Sequence, residues 1–143
     1  MDVPSVRRVA IPALLYPWVS FMPPFAFINY RRAESQQTAI ALRMALESQF
    51  GIGSVFLDVD DVPPGAKWPD RIRAQLDKAT VVLARMGPKW LFAQDEVGRR
   101  RIDQKTDWVR MEIERAQKSQ TPIIPLLVAG QKEMPPKNGL PKS

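Results

Sequence analysis

The run Phe25-Ala26-Phe27-Ile28-Asn29-Tyr30 is short, apolar and aromatic, which suits a strand buried on both faces, the kind found inside parallel sheets. Downstream, the chain alternates helix-like and strand-like segments. Ser35 can cap a helix on which Ala39, Leu42, Leu46 and Phe50 recur at three- and four-residue spacing, and Gly51 supplies the stop. Val55 to Val59 reads as a second strand. Asp60 to Lys67 is a loop, because two prolines and a glycine interrupt it. Pro69 fits the first turn of a helix with Ile72, Leu76 and Ala79 inward, and Thr80 to Met86 is a third strand ending at Gly87-Pro88. Residues 88–105 are polar and basic apart from Trp90-Leu91-Phe92, which suits one helical turn. Thr106 is expected to cap a helix with Val109, Ile113 and Ala116 on its core face. Ile123 to Val128, opened by Thr121-Pro122, is a fourth strand. The order β-α-β-α-β-α-β predicts a parallel sheet with right-handed crossovers and helices on both faces.

This unit spans residues 25–130, between two proline-rich ends. Residues 1–24 carry Pro4, Pro12, Pro17, Pro23 and Pro24, and proline excludes both a long helix and a central strand. Arg7-Arg8 ahead of an apolar stretch suggests a secretion signal, but prolines interrupt that stretch and no A-x-A site follows. The segment reads as an irregular extension or as translation begun too far upstream, with Met22 as the preferred natural start. Residues 131–143 read as a loop or tail.

The 143 residues leave room for one core, and 45% hydrophobic with 25% charged residues is a globular balance. No run approaches the roughly 18 apolar residues of a spanning helix. There is no cysteine and no histidine, which removes disulfides, thiolate nucleophiles, His-based triads and nearly every zinc or copper site. Chemistry therefore falls to carboxylates. The net charge of +6 suits a phosphate-bearing ligand, and nucleic acid is a secondary expectation because acids are interspersed among the bases.

In open α/β sheets, ligands bind beyond the carboxyl ends of the strands where strand order reverses. That nominates Tyr30-Arg31-Arg32, Asp60 to Trp68, and Gly87 to Asp107. The last leads into a helix carrying Trp108 and Glu112, whose spacing of four puts them on one face. Their neighbours Val109 and Ile113 place Glu112 at a partly buried margin.

With these residues in view, the segments FAFINYRR, VFLDVDDVPPGAKW, VVLARMGPKWL, DWVRMEIERA and TPIIPLLV, in this order, resemble a TIR (Toll/interleukin-1 receptor) domain of the bacterial kind over residues 25–128. The first is similar to the family's F-I-S-Y-R strand, the proline-glycine stretch to its BB loop, and Trp108 with Glu112 to its W-x-x-x-E motif. The resemblance implies a flavodoxin-like sheet and an NADase, with NAD as substrate rather than cofactor. Glu112 is then the catalytic glutamate that cuts the nicotinamide–ribose bond. The products would be nicotinamide and ADP-ribose or a cyclic isomer. Arg31 and Arg32 would hold the pyrophosphate, Trp68 would stack on a base, and Tyr30 and Trp108 would wall the ribose pocket.

The resemblance further implies self-assembly with other TIR domains, or with subunits of a bacterial antiviral defence complex, in the cytoplasm. It implies no membrane and only indirect contact with nucleic acid. The family's final strand and closing helix are not matched after MPPKNGLP, as in a truncated chain, a piece of a larger protein, or a compact variant with an open sheet edge. The alternative function is a non-catalytic TIR interaction module in which Glu112 is structural. A nucleotide-signal receiver is disfavoured, since strand one ends in Tyr30-Arg31-Arg32 rather than in acidic residues. Outside the site, Arg99-Arg100-Arg101 reads as a solvated run. Asp58, Asp60 and Asp61 resemble a metal cluster, but alternating strand residues face opposite ways and no metal is expected.

Overall fold

The computed structural model describes residues 25–34, 36–59, 67–128 and 132–135. The expected Ser35 cap, the extension over residues 1–24, the loop over residues 60–66 and most of the tail over residues 131–143 lie outside the described residues.

Four strands form one parallel sheet in the order β2-β1-β3-β4: β1 (Ala26–Tyr30), β2 (Val55–Phe56), β3 (Val81–Met86) and β4 (Ile123–Leu127). β1 aligns Phe27 with Val82 and Asn29 with Ala84, and every residue of this strand is buried, as its mostly apolar run predicts. The chain crosses from β2 on one side of β1 to β3 on the other. Strand order therefore reverses at β1, and the crevice beyond its carboxyl end is where a ligand site is built.

Helix α1 (Gln36–Phe50) covers one face, where Ala39 packs with Ala26, Ile28, Tyr30 and Leu83. Helices α2 (Asp70–Lys78) and α4 (Trp108–Lys118) cover the other, where Ile72, Leu76 and Ala116 pack on Phe27 and Val82. The short helix α3 (Pro88–Phe92) buries Trp90 and Leu91 with Met86, Ile102 and Val109. The described residues thus form the expected α/β arrangement with helices on both faces. Among them, no helix is long and apolar enough to cross a membrane.

Three local expectations are corrected. Phe50 is 54% exposed rather than core-facing. Fifteen helical residues extend about 22 Å against about 17 Å for the five of β1, so the last turn of α1 overhangs the sheet. Gly51, at φ +102°, does end the helix. Strand β2 is limited to Val55–Phe56 rather than reaching Val59, because it is an edge strand paired on one side only. The cap of α4 is Asp107, not Thr106: its carboxylate accepts from the Arg110 N–H at 3.1 Å. A carboxylate complements the helix dipole where a hydroxyl does not.

Candidate active site

At the carboxyl edge of the sheet a cavity of about 250 Å³ opens between the end of β1 and the start of α4. The end of β1 delivers Tyr30, Arg31 and Arg32 to its wall, and the first turns of α4 deliver Trp108 and Glu112. Asp58 enters from beyond β2, and Arg101 and Gln104 from the 3-10 turn that precedes α4.

Glu112 is deeper than a helix margin, with only 8% of its surface exposed. The helix stripe rotates it toward β1, where Asn29 Nδ2 donates to its Oε2 at 2.7 Å. Burial is the main cause that pushes its carboxyl up to about 8, against an ordinary 4.5. The Asn29 hydrogen bond opposes that shift, the charges of Asp58 and Asp107 add to it, and Arg31 subtracts from it. The result is a carboxyl group that changes protonation near neutrality, within a cavity wall. Tyr30 is also raised, again chiefly by burial, and its hydroxyl donates to the Asp58 carbonyl at 2.8 Å.

Of the six residues nominated from sequence, five come together here and one does not. Trp68 is 6% exposed and packs with Phe27, Ile72 and Leu76 on the α2 face, with the Arg73 guanidinium 5.4 Å from its ring centroid. It pins the start of α2 and is not a wall of the cavity. Arg31 reaches the cavity but is occupied. Its guanidinium forms a two-point ion pair with Asp107 and also donates to the Trp90 carbonyl at 3.1 Å. It braces the site rather than offering its charge to a ligand. Arg32 has a third of its side chain exposed and lies 3.5 Å from the Asp58 carboxylate, a loose pair at the cavity wall.

Sequence reasoning passed over Asn29, Trp90, Asp58 and Arg101. Asn29 is wholly buried, and a polar residue inside an otherwise apolar two-face strand was the signal available for it, because buried amides require partners. Of the arginine run, Arg99 pairs with Asp95 and Arg100 with Asp103, while Arg101 lines the cavity. Nothing in the local sequence separates the three.

The fold and this site define a doubly wound α/β module whose switch-point cavity holds a buried, nearly neutral carboxyl group. Its family follows from the chain as a whole. The TIR domain family model matches residues 26–142, and the chain belongs to the TIR domain family. TIR domains commonly associate with one another. No curated protein matches the sequence.

Proposed function

We propose that this TIR domain is an NAD glycohydrolase in which Glu112 is the catalytic carboxylate. The observation that carries the reading is the placement of Glu112. Its carboxyl is desolvated in a cavity at the sheet's switch point, on the helix position that the W-x-x-x-E motif of NADase-type family members assigns. Nicotinamide leaves as a neutral molecule, so its departure requires no general acid. What the reaction needs is stabilisation of an oxocarbenium-like ribose, and an anionic carboxylate in a water-poor cavity supplies that.

The raised pKa fits the same chemistry. Glu112 stays neutral until the pyridinium cation of NAD enters, and the cation then favours the ionised form that the transition state needs. Arg32 and Arg101 are the cavity cations placed to meet the pyrophosphate, with Tyr30 and Trp108 beside the ribose. Ligand pockets usually enclose roughly 300–1,000 Å³, so about 250 Å³ admits the nicotinamide riboside end and leaves the adenosine end to a surface beyond it. A neighbouring copy in a TIR assembly would supply that surface. The products are nicotinamide and ADP-ribose or its cyclic isomer, in a cytoplasmic bacterial antiviral response.

The test is nicotinamide release by concentrated protein, with and without a crowding agent, for wild type and Glu112→Gln. Release by wild type alone supports the assignment. Equal rates from the two under assembling conditions sink it and favour a non-catalytic interaction module. Among the described residues β4 is an edge strand, and its exposed apolar Ile124 and Leu127 suit either outcome as an assembly surface.

A further inference from the structure

Asn29 is the penultimate residue of β1 and has no exposed surface, and its amide is bonded on three sides. Nδ2 donates to the Val109 carbonyl at 3.1 Å and to Glu112 Oε2 at 2.7 Å, while Oδ1 accepts from Trp90 Nε1 at 3.1 Å. The two ends of an amide are usually hard to tell apart, but here chemistry fixes them. An indole N–H only donates and a main-chain carbonyl only accepts, so Oδ1 must face Trp90 and the NH₂ must face Val109 and Glu112. The indole itself is 3% exposed on helix α3 and is held by packing with Met86 and Leu91.

We propose that Asn29, locked by Trp90, is a positioning residue for Glu112. It holds Oε2 by an N–H donor and biases the exchangeable proton toward Oε1, the oxygen that takes no part in that bond. A protonated carboxyl oxygen is a poorer acceptor, so placing the proton on Oε2 would weaken the bond from Asn29, and the proton favours Oε1. The neutral acid therefore carries its O–H on Oε1, and ionisation opens an acceptor on the same atom for a ribose hydroxyl. Asn29 has no exposed surface and is not part of the cavity wall, so it acts on a substrate only through Glu112.

The other charged and titratable groups around Glu112 are Arg31 and Tyr30 at the end of β1, Asp58 after β2 and Asp107 at the start of α4. Among the described residues, the hydrogen bond that reaches the Glu112 carboxylate is the one from Asn29 Nδ2 to Oε2, and that contact fixes which oxygen titrates. The inference rests on Glu112 being the reacting group, but it concerns the protonation of that group and is measurable without turnover.

The experiment is a carboxyl-carbon NMR titration of the full chain labelled at glutamate, with the Glu112 signal identified by its loss in Glu112→Gln. Asn29→Leu fills the same volume without a donor, and Trp90→Phe removes the lock while keeping an aromatic ring. Losing a hydrogen bond to a charged group should raise the Glu112 midpoint by about one to two pH units in Asn29→Leu, with a smaller rise in Trp90→Phe. A merely structural asparagine would lower the melting temperature and leave the midpoint at the wild-type value. That result in a folded variant overturns the proposal, and if Asn29→Leu does not fold, the Trp90→Phe midpoint decides. Should the midpoint move while wild type releases no nicotinamide, the positioning role stands and the glycohydrolase reading alone fails.

Discussion

Arg31 and Asp107 are joined by a two-point ion pair in which both side chains are almost wholly buried, tying the end of β1 to the first residue before α4. Asp107 thereby closes the N-terminus of the helix that carries Glu112 and neutralises the Arg31 guanidinium. Removing one partner strands the other in the interior. Arg31→Ala should therefore destabilise the fold by about 3–5 kcal/mol, read from denaturant unfolding. Arg32→Ala, whose pair with Asp58 is loose and partly solvated, should change stability by less than about 1 kcal/mol while raising KM for NAD. Equal stabilities for the two variants would contradict this division of labour.

Glu112 gives stability a pH dependence of unusual sign for a carboxylate. Its folded pKa of about 8 lies above the ordinary 4.5, so folding favours the neutral form. Below 4.5 the group is neutral in both states and contributes no pH dependence. Between 4.5 and about 8 the unfolded chain ionises and the native one does not, and stability falls by at most about 1.4 kcal/mol per pH unit. Above about 8 both states are ionised and the slope vanishes. Glu112→Gln cannot ionise, so its melting temperature should match wild type near pH 4.5 and exceed it increasingly up to pH 8. An inactive variant more stable than its parent at pH 8, but not in acid, is the outcome to look for.

The same group should shape the rate. If ionised Glu112 is the reacting form, kcat/KM for NAD rises about tenfold per pH unit at low pH and levels off near 8. At saturating NAD the bound pyridinium favours the carboxylate, so the kcat profile should level off at lower pH than the kcat/KM profile. Coincident profiles would show that the cation does not sit beside Glu112.

Trp68 and Trp108 separate core from cavity. Trp68→Ala should cost about 3–5 kcal/mol in unfolding, as expected for a large side chain deleted from the cluster around Phe27 and Ile72. The milder Trp68→Phe should leave KM for NAD unchanged. Trp108 lines the cavity and also touches that cluster, so Trp108→Phe should raise KM. A KM effect at Trp68 as large as that at Trp108 would restore Trp68 to the site.

How far the sequence could be read follows from how local each feature is. Strand β1 and helix α4 declare themselves by apolar spacing within a few residues, and the four-residue step from Trp108 to Glu112 is a property of the helix itself. The electrostatic character of the site is not local. Arg31 meets Asp107 across 76 positions and Asn29 meets Glu112 across 83, distances over which periodicity carries no information. An arginine beside a site reads as a phosphate ligand until its internal partner is seen, and a tryptophan after a glycine loop reads as a stacking residue until Phe27 is found beneath it. Arg101 differs from Arg99 and Arg100 only in which way a 3-10 turn points it.

Gly87 is constrained by contact rather than by backbone freedom. Its φ of −113° is open to any residue, but a Cβ there would lie 2.6 Å from Glu34 Oε1 and 2.8 Å from Cδ. That carboxylate is not free to retreat, since it accepts from the main-chain N–H groups of Gly87, Lys89 and Trp90 and so closes the start of α3. Gly87→Ala should destabilise by about 1–3 kcal/mol and speed hydrogen exchange most at Lys89, whose amide loses its acceptor, and less at Trp90, whose amide also donates to the Gly87 carbonyl at 3.0 Å. Glu34→Ala should produce the same exchange phenotype by removing the acceptor directly. Because both substitutions break one set of bonds, the double variant should be no less stable than Glu34→Ala alone. Additive losses would mean that the two residues act separately and that the carboxylate is not what Gly87 makes room for.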